Sequence, residues 1–149
     1  MTEHESRQSN VQTDDHLLTV SRVFDAPVER VFRAFTDPDE LEEWYAPGEM
    51  GIEVHAFSPE PDGSFSISMT GGDAPHDVEG TFVEVVENER LVHTWQGPSG
   101  PRTRVTVTFD AVEDGTEVVL THEEFESRDA VESHAEGWSS IFERLAGHL

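Results

Sequence analysis

The side chains best equipped for chemistry in this 149-residue chain are its histidines, tryptophans and adjacent carboxylates. His93 and His122 lie in alternating segments and share a face with apolar neighbours, and His134 precedes Trp138 by four residues on one helical face. Three imidazoles meeting in one cavity are a zinc ligand set, but such a site needs bonds of ~2.0–2.1 Å and a supporting outer shell. No H-x-H or H-E-x-x-H spacing sets that geometry, and there is no cysteine to supply a thiolate. No metal and no cofactor is therefore expected. Two readings of the histidines stay open: a polar handle that orients a ligand hydroxyl or carbonyl, and a partly buried ring satisfied by its neighbours. His122-Glu123-Glu124 places two carboxylates beside an imidazole, a combination used in acid–base catalysis. With 32 acidic residues such pairs arise by chance, so no catalytic residue is assigned. No nucleophile elbow, P-loop or dinucleotide fingerprint is present.

Trp44, Trp95 and Trp138 come from three different predicted elements, and large aromatics serve both as core and as pocket wall. Phe65, Ile67 and Met69 share one strand face, as core or as the floor of a cavity, and Met69 suits a pocket that adapts to apolar guests. Phe142 extends the apolar stripe of Trp138. These residues and the three histidines form the candidate ligand-binding set. Gly137 stands inside a predicted helix, where glycine costs ~1 kcal/mol against alanine. It predicts either the close approach of another element or room left for a ligand. Arg22 falls on an apolar strand face, as one half of an ion pair or as an anchor for an anionic head at the rim.

Periodicity defines the elements that must position these residues. Residues 1–16 are polar and aperiodic, and read as a disordered lead-in to one domain over 17–149. Leu17 to Phe24 alternates as a strand. Pro27, followed by Val28, Val31, Phe32 and Phe35, predicts a short helix ending near Thr36. Asp37 is placed to cap a second one, with Glu40 closing a capping box and Pro47-Gly48 ending it. Six alternating segments follow, at 52–57, 65–69, 78–86, 91–95, 104–109 and 118–122, joined by Gly- and Pro-rich turns. Gly80 interrupts the third of them. Ser127 to Leu149 closes the chain as a long amphipathic helix capped by Ser127. Sheet and helices are segregated, which makes the fold class α+β. Seven antiparallel strands will curve, and the long helix must lay its apolar face on the concave side, leaving a wedge-shaped cavity.

With these elements in place, the chain resembles the START-like or birch-pollen-allergen-like superfamily (SRPBCC, the helix-grip fold). Within it, the chain is similar to the branch named for the activator of the Hsp90 ATPase. The resemblance spans about Leu17 to Leu149. It is carried by Arg22-Val23-Phe24-Asp25-Ala26-Pro27 leading into Val31-Phe32, and by Trp44-Tyr45-Ala46-Pro47. Three further stretches carry it: Gly80-Thr81-Phe82-Val83-Glu84-Val85, the run from Glu89 to Trp95, and His134-Ala135-Glu136-Gly137-Trp138. The family includes ligand carriers, cyclases and chaperone regulators. The resemblance implies a small apolar ligand held between the curved sheet and the last helix. A chaperone or other protein partner is the alternative, and a cyclase- or hydrolase-like enzyme using a cavity histidine is the second. The chaperone activator has an additional N-terminal domain, which the polar segment 1–16 is not expected to replace.

Charge sets the surroundings. Thirty-two acidic residues stand against nine basic ones, a formal net charge of −23, and every basic residue is arginine. This field repels nucleic-acid phosphates and anionic lipid heads, so neither nucleic acid nor membrane is an expected partner. No apolar run approaches the ~20 residues of a membrane helix, and no secretory signal is visible, so a cytoplasmic monomer or homodimer is expected. The acids are spread along the chain, as in the proteins of halophiles, and are not gathered in one tail. Self-repulsion of this size is relieved by salt, whose screening length shrinks to ~3 Å at molar strength. The melting temperature is therefore expected to rise steadily from dilute buffer to molar KCl; a thermal-shift series that stays flat would remove this account.

Overall fold

A computed structural model describes residues 9–46, 50–71, 76–97 and 101–149, leaving out the side chain of His76. The turns expected at 47–48, 71–75 and 97–100 lie largely outside them. The strands are β1 (Asn10–Thr13), β2 (Leu17–Phe24), β3 (Gly51–Phe57), β4 (Ser64–Thr70), β5 (His76–Val86), β6 (Arg90–Trp95), β7 (Thr103–Val112) and β8 (Gly115–Glu123). The helices are α1 (Val28–Thr36), α2 (Pro38–Trp44) and α3 (Arg128–His148). All eight strands form one antiparallel sheet in the order β1-β2-β8-β7-β6-β5-β4-β3. The α+β class and the order of elements are those read from the sequence. The strand count is not: there are eight, not seven. The extra strand is Asn10–Thr13, inside the segment read as a disordered lead-in, paired from Asn10↔Ser21 to Thr13↔Leu18. Its four residues are all exposed, so it carries no burial pattern that would mark it in the sequence. Backbone pairing to the edge of β2 holds it.

Period-two burial places the core. In β8, Thr116, Val118, Leu120 and His122 point inward, and in β7 the inward set is Thr103, Val105, Val107 and Phe109. Against this floor α3 buries Val131, Ala135, Trp138, Ile141, Phe142 and Leu145. Each fully buried Leu, Val or Phe contributes roughly 1.5–3 kcal/mol. Ser127 caps α3 as expected, its hydroxyl accepting from the Ala130 amide. Asp37 likewise caps α2 through the Asp39 amide. Glu40 closes no capping box; its carboxylate instead accepts from Arg30, Arg33 and His148 at 2.6, 3.1 and 2.9 Å. Burial opposes ionisation of Glu40, but these donors outweigh it and hold its pKa below the usual value. Arg144 of α3 donates to the carbonyls of Ala46, Met50 and Glu43, which ties the segment after α2 to the last helix.

The sheet bends at two register shifts, between Val54 and Ala56 and between Phe82 and Glu84. Gly80 lies just before the second. A Cβ there would sit 2.1 Å from the Thr94 carbonyl oxygen and 2.6 Å from the Phe65 ring. The interruption in β5 is thus a close approach of two strands and an aromatic ring. Replacing Gly80 by Ala is expected to destabilise the fold by about 1–3 kcal/mol, as overpacking does. Urea midpoints of the two proteins would show it, and an unchanged midpoint would mean that the strands can part there at no cost.

Candidate functional site

Between α3 and the β3–β6 side of the sheet lies a cavity of about 510 Å³. Its apolar wall is Met50, Met69, Val78, Trp95, Trp138 and Ile141. Phe125 and Ala130 extend that wall, and Thr103 and His134 supply inner polar groups. Glu126, Ser127, Ser133 and Pro101 are exposed and form the mouth, with Gly97 beside them. Gly137 decides its own alternative: a Cβ at this position meets nothing within 4 Å. The glycine leaves room in the cavity and accommodates no neighbouring element.

Behind the wall runs a buried hydrogen-bond chain. The Trp138 indole N–H donates to His122 Nδ1 at 3.0 Å. An indole nitrogen only donates, so Nδ1 carries the lone pair and the proton resides on Nε2. Nε2 then donates to Thr103 Oγ1 at 2.6 Å, and Thr103 donates to the Trp95 carbonyl at 2.9 Å. Four residues on α3, β8, β7 and β6 are joined with every partner matched. A second proton on His122 would displace the Trp138 bond. Burial, reinforced by His134 and His93, pushes the His122 pKa down to about 2. His93 is likewise pushed down to about 4 by burial, although its Nδ1 donates to the Thr94 carbonyl at 2.8 Å.

An edge-to-face series of rings supports the same wall. Phe35 meets Trp44 at 4.8 Å between centroids, Trp44 meets Tyr45 at 5.2 Å, and Tyr45 meets Trp138 at 5.7 Å. Trp138 and Trp95 lie 5.2 Å apart, tilted by 55°. Burial raises the Tyr45 phenol pKa. Such pairs contribute ~0.5–1.5 kcal/mol each beyond area burial.

The predicted residues therefore divide. Met69, Trp95, His134 and Trp138 line the cavity. His122 stands behind them as a fully buried support. Phe65, Ile67 and His93 border a separate void of about 20 Å³, room for about one water. Trp44 is fully buried, its indole donating to the Ala34 carbonyl, and Phe142 packs on Phe24 at 5.6 Å. Trp44 and Phe142 are core. Arg22 lies 5.6 Å over the Phe24 ring with its Nε buried and without a partner among the described residues. Burial lowers its pKa and Glu143 opposes that fall. Sequence reasoning missed Met50, Val78, Thr103, Phe125 and Ser133 as lining. Ile141 belongs to the apolar face of the last helix, which the sequence marks as amphipathic. Thr103 is polar and opens β7 just before the alternating segment read from 104, and Phe125 follows the last strand, so neither stands inside a segment read from the sequence. Among the described residues no group of three or more His, Asp or Glu is placed to hold a metal, and no helix is long and apolar enough to cross a membrane.

A layered sheet gripping one long helix around an apolar cavity defines the helix-grip class. Residues 25–149 match the family model "Activator of Hsp90 ATPase homolog 1-like protein", and the chain belongs to that family. It is similar to a solved protein of Chromobacterium violaceum, with 26% identity and a TM-score of 0.82 over 89% of this chain and 96% of that one. It shares its fold with a protein of Rhodobacter sphaeroides, at 23% identity and a TM-score of 0.84, over 94% of this chain and 96% of that one. An uncharacterized protein of Schizosaccharomyces pombe is 30% identical over 97 residues, which make up 62% of this chain and 25% of that protein. The chain thus spans about a quarter of the length of this curated relative.

The two depressed histidines make a signed prediction. Unfolded histidine binds its proton near 6.5, whereas folded His93 does so only near 4 and His122 near 2. Between these values the unfolded state holds more protons, so stability is complete above 6.5 and is lost as pH falls. The slope is on the order of 1 kcal/mol per pH unit for each histidine. Denaturant unfolding in molar KCl from neutrality to about pH 4.5 should show this fall, and His93→Phe combined with His122→Gln should flatten it. Carboxylate titration acts on both proteins alike, so equal slopes would overturn the assignment.

Proposed function

We propose that this protein binds a small apolar or amphipathic molecule, without converting it, in the cavity between the curved sheet and α3. The carrying observation is the cavity itself, whose volume of about 510 Å³ lies within the ~300–1,000 Å³ usual for small-molecule sites. Its apolar wall, with a few polar groups on one side, suits a guest with one polar end. Gly137 supports the reading, because a helix accepts that cost without a contact to justify it. The matched, neutral state of His122 favours carriage over acid–base chemistry, since neither ring nitrogen is free to act. A location inside the cell belongs to the same proposal.

The family name favours a second reading, a module that regulates a chaperone or another protein partner. Its partner would be recovered by pull-down in molar KCl, and an empty pull-down would weigh against it.

The first reading is tested with a neutral fluorescent dye such as N-phenyl-1-naphthylamine. Wild-type protein should brighten it saturably, and Gly137→Phe should weaken binding by about tenfold or more, a loss of ~1.4 kcal/mol or greater. The same variant should melt no lower than wild type, because its side chain enters open space. Failure of the wild type to bind any such dye would end the proposal.

A further inference from the structure

Resting on the cavity reading above, we propose that this site selects neutral guests that carry a hydroxyl donor on a flat apolar body, and rejects the corresponding carboxylates.

The rejection follows from where the cations are. No arginine lines the cavity among the described residues, and its charged lining residue is Glu126, at the mouth. Most arginines are committed elsewhere. Arg30 and Arg33 hold Glu40, Arg128 holds Asp15, and Arg144 is spent on three carbonyls. Arg90 and Arg104 lie 3.6 and 4.0 Å from Glu84 and Glu124. Arg102 follows Pro101 but is exposed and does not line the space. A carboxylate entering this cavity would lose its water shell and gain no cation in return. The field of a chain with net charge −23 also lowers the concentration of anions at the mouth.

The preference for a donor follows from His134. Its Nδ1 lies 2.8 Å from the Ala130 carbonyl one turn back, an oxygen that only accepts. The neutral ring must therefore keep its proton on Nδ1, which leaves Nε2 as an acceptor with no partner among the described residues. The ring packs edge-on to His122 at 5.2 Å and against Phe125 at 4.9 Å, and it belongs to the cavity lining. A guest hydroxyl can donate to Nε2; a carboxylate has no proton to give and would meet a lone pair with lone pairs. The flat body follows from the tilted pair of Trp95 and Trp138, with the thioethers of Met50 and Met69 on the same cavity.

Three fluorescent probes of one shape separate the claims: 9-anthracenemethanol, 9-anthracenecarboxylate and 9-methylanthracene. They are titrated into the protein in molar KCl at mildly alkaline pH, where the carboxylate probe is ionised. The alcohol should bind about tenfold or more tighter than the carboxylate, and tighter than the methyl compound. In His134→Phe the alcohol should lose its advantage and fall to the level of the methyl compound, whose continued saturable binding reports an intact cavity. Glu126→Arg should raise carboxylate affinity. Equal binding of alcohol and carboxylate by wild type, or an alcohol indifferent to His134→Phe while the methyl compound still binds, would overturn the selectivity and leave the cavity reading standing. No binding of any of the three would overturn both.

Discussion

The chain of hydrogen bonds from Trp138 through His122 and Thr103 to the Trp95 carbonyl is the constraint on which this molecule turns. It ties the last helix to three neighbouring strands at one depth. It can exist only with His122 neutral and in one tautomer, because the indole N–H requires a lone pair at Nδ1. A buried polar network is favourable when every member is satisfied and costly when one is not. Here the matching fixes Trp138, whose indole is a wall of the cavity, against a rigid backing. The hollow persists because its wall is bonded from behind and does not collapse inward.

The same economy of polar groups governs the surroundings. Glu40 gathers two arginines and His148, which holds the end of α3 to α1 and α2. Arg144 satisfies the carbonyls after α2 and fixes Met50 at the cavity. Exposed pairs such as Arg90–Glu84 contribute little individually. Most of the described arginines thus serve structure, and no described acidic residue is buried. The proposed bias toward neutral guests rests on this arrangement: no arginine stands among the described lining residues, and the surface around them is acidic.

Much of the architecture was legible. Strand alternation, the Pro27 and Asp37 helix starts, the Ser127 cap and the stripe from Val131 to Leu145 led to a curved antiparallel sheet under a long helix. β1 was not legible, because three polar residues and one valine, all exposed, give no period; its pairing depends on the free edge that β2 offers. The capping role of Glu40 failed for a related reason. A capping box is a local pattern, but the arginines of α1 and the histidine at the end of α3 compete for the same carboxylate and outnumber the backbone donor. In the candidate site, Trp95, Trp138, Met69 and His134 were identified because they sit on apolar faces. Trp44 and Phe142 share that pattern and are core, since a stripe shows that a residue points inward without showing how far.

The sequence by itself determined which side chains face the interior, since periods of two and 3.6 are properties of the backbone. It also determined the charge of the surface and the absence of thiol chemistry. Only the tertiary structure decided which inward residues meet solid packing and which meet a void. Cavity walls are drawn from residues far apart in the chain, such as Met50, Trp95 and Trp138, whose relative placement depends on sheet curvature and on where α3 crosses it. The alternatives at Gly137 show the difference most simply. Its presence in a helix could be read from the order of residues, but the empty space beside it exists only once the sheet has bent away.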